Sequence, residues 1–323
     1  MYLVGAGSAF PTHNLSDASL AGMGASCSDA ERRLLDRVGV SSRSISLPLE
    51  FVQVWRDADI LETRKACPVS PTTLAVEAAT VALSRAGITI EQVGLVLADC
   101  ATPYQTCPSE AQRIAGSFGV KVPAYDVTLG AAAVPMFLNL LRSWREERVP
   151  EYVLCVSTNT PSPHIRYGSD RVAASVFGDA ACAFVVSRKH QGQWRVESTQ
   201  AREESARSGG IVVERHITVN EPMLPSRQAF AGELNALVSD ESVSKSAYFI
   251  GTGLLQRDFN DLLRARGVAD SRLVSVVPER GYSIGSASGA SFVDMWDRAA
   301  VGDDVTILHY GDGLSAKVVL KRM

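Results

Sequence analysis

The sequence predicts a layered α/β protein with mostly buried sheets, and three observations carry that reading. Val93–Ala98 and Cys182–Ser187 are short, continuous apolar runs of the kind that strands covered on both faces present. Segments of helical periodicity alternate with such runs down the whole chain. With 323 residues, 46% of them apolar, the chain can bury a large core, as one large domain or two of about 150 residues.

Bulk properties exclude several classes. A net charge of −3 leaves no basic footprint, so neither nucleic acid nor an anionic membrane is an expected partner. No apolar run approaches the ~18 residues needed to cross a bilayer. The opening Met-Tyr-Leu-Val-Gly lacks a charged leader and reads as a first strand rather than a secretion signal. Cys27, Cys67, Cys100, Cys107, Cys155 and Cys182 form no CxxC pair and no His-rich ligand spacing, and Cys155 and Cys182 lie inside strand-like runs. A reduced, cytoplasmic protein without a structural metal is the expectation.

Residues 2–11 read as a strand ending at glycines and Pro11. Gly5 and Gly7 could open a dinucleotide loop, but the third glycine is missing and Pro11 stops the helix that should follow. Residues 28–38 are helical. Ser70–Ala86 is a long helix, with Ser70 or Thr72 as cap, Leu74, Ala75, Ala78, Ala79, Ala82 and Leu83 at helical spacing, and Gly87 as its stop. The strand 93–98 is followed by a Cys- and Pro-containing loop and a helix through Phe118.

A strand at 124–127 then breaks at small residues into an apolar helix, 131–141. Strands follow at 152–157 and 182–187, with a Pro/Ser/Gly-rich segment, 158–170, between them. The polar stretch 188–245 is weakly patterned and reads as a connector in which substrate preference resides; His190 and His216 fall there as surface residues. A second half holds strands at 247–250 and 273–277, helices at 256–266 and 292–300, and a terminal pair of strands at 305–310 and 314–321. The expected division is 1–187, 188–245 and 246–323.

A strand running through a tight turn into a helix N-terminus is where a nucleophile is best placed, because free amides and the helix dipole stabilise a thiolate or oxyanion. Here that spot is Ala131, which can do no chemistry. Asp126-Val127, followed by small residues and an apolar helix, resembles the nucleophile turn of the thiolase superfamily, in particular the β-ketoacyl-ACP synthase III group. The resemblance covers nearly the whole chain, least securely 188–245. It implies a five-layered αβαβα fold built from two pseudo-equivalent halves.

Residue by residue, the resemblance implies the following. In the family the residue five past the Asp is the acyl-accepting Cys, and that position is Ala131. The family His of a "P-H-Q-A-N" turn falls on Thr252 in Gly251-Thr252-Gly253, and the Asn of "G-N-T-S-A-A-S" falls on Ser286 in Gly285-Ser286-Ala287. One such change could be an engineered inactivation; three together read as a natural loss. Gly39–Ile45 resembles a "G-I-x-x-R" segment whose Arg contacts CoA or carrier-protein phosphates, which makes Arg43 a phosphate contact or else a solvated loop arginine. Cys107, just before Pro108-Ser109, stands where the family sends a residue across a dimer interface into the partner's acyl pocket; the alternative is a half-buried Cys that caps its loop.

Phe177-Gly178-Asp179-Ala180-Ala181 resembles the ketosynthase "F-G-D-G-A" run, with Asp179 fixing a turn rather than catalysing. His309-Tyr310-Gly311-Asp312-Gly313 resembles a glycine-rich loop that supplies an oxyanion amide, with Asp312 in a glycine's place. His309, on the end of a buried strand, is either a hydrogen-bonded structural residue or a general base.

Removal of the nucleophile removes the covalent route, so ordinary condensing activity is not expected. One reading is a non-catalytic subunit that pairs with an active ketosynthase, or with itself, and shapes its pocket through the Cys107 loop in polyketide or fatty-acid-derived specialised metabolism. A second is an acyltransferase that moves an acyl group from CoA or acyl carrier protein directly to a small acceptor, with His309 as base. A third is a pure acyl-binding protein. None needs a cofactor or metal beyond the acyl thioester itself.

Overall fold

A computed structural model of the chain describes residues 1–22, 27–203, 209–311 and 313–323. Its strands are β1 (Tyr2–Ala9), β2 (His13–Ser16), β3 (Ser42–Ile45), β4 (Leu95–Asp99), β5 (Ala124–Asp126), β6 (Val153–Asn159) and β7 (Ala180–Ser187). They continue with β8 (Trp194–Glu203), β9 (Ile211–Val213), β10 (Ile217–Val219), β11 (Ser246–Gly251), β12 (Leu273–Val274), β13 (Asp304–Gly311) and β14 (Leu314–Arg322).

Ten of these strands run in the order β12-β11-β13-β14-β8-β1-β7-β6-β4-β5. The join between β1 and β8 is a thin seam, Tyr2 opposite Arg195 and Leu3 opposite Trp194. On each side of it the same pattern repeats. In β1-β7-β6-β4-β5 the first two pairings are antiparallel and the last two parallel. In β8-β14-β13-β11-β12 the sequence of directions is identical. The chain is therefore two copies of one five-stranded plan.

This repeat revises the connector. β8 lies inside 188–245 and holds in the second half the place that β1 holds in the first, so the second half opens at Trp194. Its sequence, WRVESTQARE, hid it: after Trp194 and Val196 neither face carries a row of large apolar residues.

Helices form the other layers. The helices Ala133–Ser143 and Ser286–Met295 lie between the two five-stranded units, with Phe137, Leu141, Phe292 and Met295 in one core with Leu3 and Phe184 on one side and Trp194 and Val318 on the other. They are exchanged: the first-half helix packs on β8 and β14, and the second-half helix on β1 and β7. Outside the first sheet, Leu74, Ala78 and Ala82 of the helix Pro71–Ala86 and Ile114 of the helix Glu110–Ser117 pack against Leu154 and Val185. Outside the second, Phe230, Leu234, Phe259 and Leu263 from the helices Arg227–Leu237 and Gln256–Ala265 pack with Phe249 and Leu308. The five layers are αβαβα.

Gly5 and Gly7 serve this packing. A Cβ at Gly5 would come 2.1 Å from the Ala82 carbonyl oxygen, and one at Gly7 2.2 Å from that of Ala78, so the helix rests directly on the β1 backbone. Ser70 caps that helix by accepting the Thr73 amide, Pro71 fills its first turn, and Gly87 closes it at φ +67°. Two expected elements differ in extent. The strand at 273–277 is only Leu273–Val274, because Pro278 enters the short helix Val277–Arg280. The helix expected from 292 begins at Ser286, and its small residues let it press on β7; a Cβ at Gly289 would meet Cys182 Sγ at 2.1 Å.

All six cysteines are free. Among the described residues no single helix is long and apolar enough to cross a membrane.

Candidate functional site

The parallel strands of both halves end at one place, where the helices Ala133–Ser143 and Ser286–Met295 begin. Ligand sites of open α/β sheets form at such carboxyl ends. A cavity of about 270 Å³ opens here, walled by Ala101 after β4, Leu129-Gly130-Ala131 after β5, Ile284, and His309 and Gly311 of β13. Ile211, Val213 and Leu314 complete it, and His309 is the one ionisable side chain among the described residues that line it.

Ala131 sits on the single turn Gly130–Ala132 that leads into the helix Ala133–Ser143, with its methyl in the cavity wall. Asp99, at the end of β4, fixes this turn: its Oδ1 accepts the Leu129 amide at 2.8 Å and the Gly130 amide at 3.1 Å. Ser157 Oγ donates to Asp99 Oδ2 at 2.9 Å. Burial pushes the Asp99 carboxyl up to about 6, against the pull of these hydrogen bonds.

Ser286 belongs to the same buried network. Its hydroxyl donates to the Ser157 carbonyl at 3.0 Å and lies 3.2 Å from Asn159 Nδ2, so it is absorbed in structure rather than aimed into the cavity. The residue before it, Gly285, is wedged against Asp99 and Gly130: a Cβ there would lie 2.5 Å from Asp99 Oδ2 and from the Gly130 carbonyl. Ile284 adopts φ +52°, an unfavourable conformation for a β-branched residue, and its side chain lines the cavity. Asp99, Ser157, Asn159 and Ile284 escaped the sequence reading; the one available signal was an acidic residue closing the apolar run 93–98.

Thr252 and His309 meet. β11 and β13 are parallel with Gly251 opposite Leu308, so the next residues of the two strands stand side by side. The Thr252 amide donates to the Leu308 carbonyl at 2.8 Å. His309 Nδ1 is 2.7 Å from Thr252 Oγ1, and His309 Nε2 is 3.2 Å from the Gly311 carbonyl oxygen. Burial pushes the His309 imidazole down to about 4, so the ring is neutral at neutral pH.

Tyr310 stacks edge-on to Phe230 at 5.5 Å and, with His309 and Gly311, borders a second, small cavity of about 20 Å³ that Leu254 and Tyr282 also line. Gly313 takes φ +75°. Asp312 lies outside the described residues.

Cys107 is exposed and away from this cavity of its own chain. Its loop leads to the helix Glu110–Ser117, whose Glu110 and Ala111 amides donate to the Asp126 carboxylate at 2.8 and 2.7 Å. Asp126 thereby clamps that helix to β5, the edge strand of the sheet, where Tyr125 is 58% exposed.

Arg43 is corrected. It lies on β3 with its side chain fully buried, donates to the Leu15 and Ser175 carbonyls, and pairs with Asp17 at 2.6 Å. A guanidinium spent on internal carbonyls is neither a surface phosphate contact nor a solvated loop arginine. Asp179 holds backbone: its carboxylate accepts the Ser46 amide at 2.7 Å and the Ser162 amide at 2.8 Å, and burial pushes it up to about 6. Buried Cys155 and Cys182 are held protonated, Cys155 far above the usual thiol range and Cys182 pushed up to about 12 by burial, so neither offers a thiolate.

Comparison with known proteins agrees with the fold. The family model for 3-oxoacyl-[acyl-carrier-protein] synthase III matches residues 125–205, from within β5 through the whole of β8. The β-ketoacyl-[acyl-carrier-protein] synthase III of Streptomyces glaucescens is 34% identical over 119 residues, 36% of this chain and 35% of the relative. That of Rhizorhabdus wittichii is 26% identical over 199 residues, 61% of this chain and 55% of the relative. The matched regions thus span from about a third to just over half the length of these curated relatives. Among solved structures, the synthase III of Thermus thermophilus superposes with a TM-score of 0.80 at 18% identity, covering 100% of this chain and 99% of that one, a likeness of fold.

Proposed function

For a chain that is β-ketoacyl-ACP synthase III-like in its matched segment and thiolase-like in fold, we propose a role in acyl-thioester chemistry that does not pass through an acyl-enzyme at position 131. It works as a subunit beside an active homologous ketosynthase or acyltransferase, or as a second copy of itself, and shapes the acyl pocket used by the pair. The observation that carries this reading is Ala131 in the cavity wall, because a methyl group cannot accept an acyl chain. The occupant is an acyl group delivered by CoA or by an acyl carrier protein, the carrier in the relatives' names.

A partner role is supported by the edge of the sheet. β5 is a short edge strand with an exposed face, and the Cys107 loop is pinned beside it through Asp126. An unpaired strand edge next to a fixed, exposed loop suits docking against a related sheet edge. Polyketide or fatty-acid-derived specialised metabolism is the setting this reading favours, since housekeeping synthesis would need the nucleophile.

Intact-mass spectrometry of the purified protein with a panel of acyl-CoAs, together with assay of free thiol release, tests the proposal. The expected result is no covalent adduct and no thiol release alone, with turnover on addition of an active synthase III homologue. A stable homodimer that turns over by itself overturns it.

The second reading, direct acyl transfer with His309 as base, is favoured by one observation: an imidazole lines the cavity although the resemblance puts the family's histidine at Thr252. On that reading His309→Ala loses nearly all turnover, and unchanged rates dispose of it.

A further inference from the structure

The proton positions in the Thr252–His309 pair follow from its partners. The Gly311 carbonyl can only accept, so the His309 nitrogen facing it, Nε2, carries the ring proton. A neutral imidazole has one N–H, so Nδ1 is bare and the Thr252 hydroxyl donates to it at 2.7 Å. The Nε2–H···O contact, at 3.2 Å, lies at the long end of the hydrogen-bond range, and both His309 and Gly311 border the cavity. The donor edge of the ring is therefore at the cavity, while its lone pair is turned away into buried structure.

Most of the remaining wall is apolar, with Leu129, Ala131, Ile284 and Leu314 among its side chains. A carbonyl oxygen brought into this space loses its hydrogen bonds to water and needs a donor. We propose that Thr252 is a positioning residue that locks His309 in its Nε2–H form, and that His309 recognises the carbonyl oxygen of an acyl thioester in the cavity as a donor rather than a base. The inference rests on the acyl-thioester reading above and applies whether or not the chain turns over alone. Use of His309 as a base at the cavity would require the other tautomer, which gives up the hydrogen bond to the Gly311 carbonyl and reverses the one to Thr252, whose hydroxyl would then accept from Nδ1–H.

The test uses the whole protein and two probes, octanoyl-CoA and its S-octyl-CoA thioether, which differ by the carbonyl. Calorimetry on the wild type is expected to give the thioester on the order of tenfold tighter binding. His309→Phe brings the two affinities together, Thr252→Val narrows the gap, and Thr252→Ser restores it. Nitrogen-15 spectra of histidine-labelled wild type place the His309 proton on Nε2, and Thr252→Val yields a mixture of tautomers.

Equal affinities in the wild type, a proton on Nδ1, or an acyl mass on the Thr252 peptide overturns the inference, the last in favour of a hydroxyl nucleophile. Failure of both probes to bind overturns the acyl-thioester reading and carbonyl recognition with it, while the spectra still decide the part assigned to Thr252.

Discussion

Asp99 holds the backbone of Gly130: its Oδ1 accepts that amide at 3.1 Å, one residue before Ala131. The turn that heads the cavity is thus pinned by a carboxylate that has itself been taken out of water. Its carboxyl, with an unfolded value near 3.8, is pushed up to about 6 in the fold.

A carboxyl with a raised folded pKa binds a proton on folding, so its contribution to stability falls as pH rises from about 4 to about 6 and is recovered as pH drops. Asp99→Asn keeps an acceptor for Leu129 and Gly130 and removes the ionisation. Between pH 4.5 and 6.5 the wild type is expected to lose on the order of 2 kcal/mol relative to Asp99→Asn in urea unfolding. Asp179 shifts in the same direction but is common to both proteins and cancels. Parallel profiles would mean that Asp99 titrates normally.

Gly5→Ala drives a methyl to 2.1 Å from a helix carbonyl and is expected to destabilise by about 3 kcal/mol or fail to fold. Gly116→Ala, in the helix Glu110–Ser117 with nothing within 4 Å of the new methyl, is expected to stabilise by about 0.5–1 kcal/mol. Thermal melts of the two variants separate close packing from a general intolerance of change.

Ala131→Cys tests whether a thiol at the head of this turn can take up an acyl group. The thiol would stand in the cavity wall, while Thr252 and Ser286 remain tied to His309 and to Ser157 and Asn159. Acyl-CoA is expected to leave an acyl-sized mass increase on the variant, with no condensation of malonyl thioesters. Condensation at a rate above the wild type's would mean that the residues at the other two positions still supply the needed donors.

Arg43→Met strips a fully buried guanidinium from the Leu15 and Ser175 carbonyls. A stability loss of about 3 kcal/mol is expected in denaturant titration, with octanoyl-CoA affinity of the folded protein unchanged. Lost affinity at unchanged stability would return Arg43 to the ligand.

The αβ alternation was legible because buried strands and amphipathic helices carry dense apolar signals; Ser70, Gly87 and the run 93–98 mark their elements almost to the residue. β8 was not, since its side chains after Val196 are mostly small or polar. Nothing local announced the Thr252–His309 pair: the residues are 57 apart in sequence and meet only through the parallel register of β11 and β13. Arg43 misled for the opposite reason, since a motif reports residue type and spacing while burial decides what a guanidinium can reach. That position 131 carries no thiol was readable outright, because an alanine methyl has no reactive group.

The exchanged central helices bear on how the molecule comes apart. The first-half helix Ala133–Ser143 is seated on the second half's sheet, and Ser286–Met295 on the first's, while the β1–β8 ladder holds two residues of each strand in register. Neither half owns the layer it leans on, so severing the chain between β7 and β8 would leave two fragments that each expose a sheet face and carry a helix meant for the other. Melting is expected as one cooperative transition despite the internal duplication, and the severed pieces would have to find each other before either could be native.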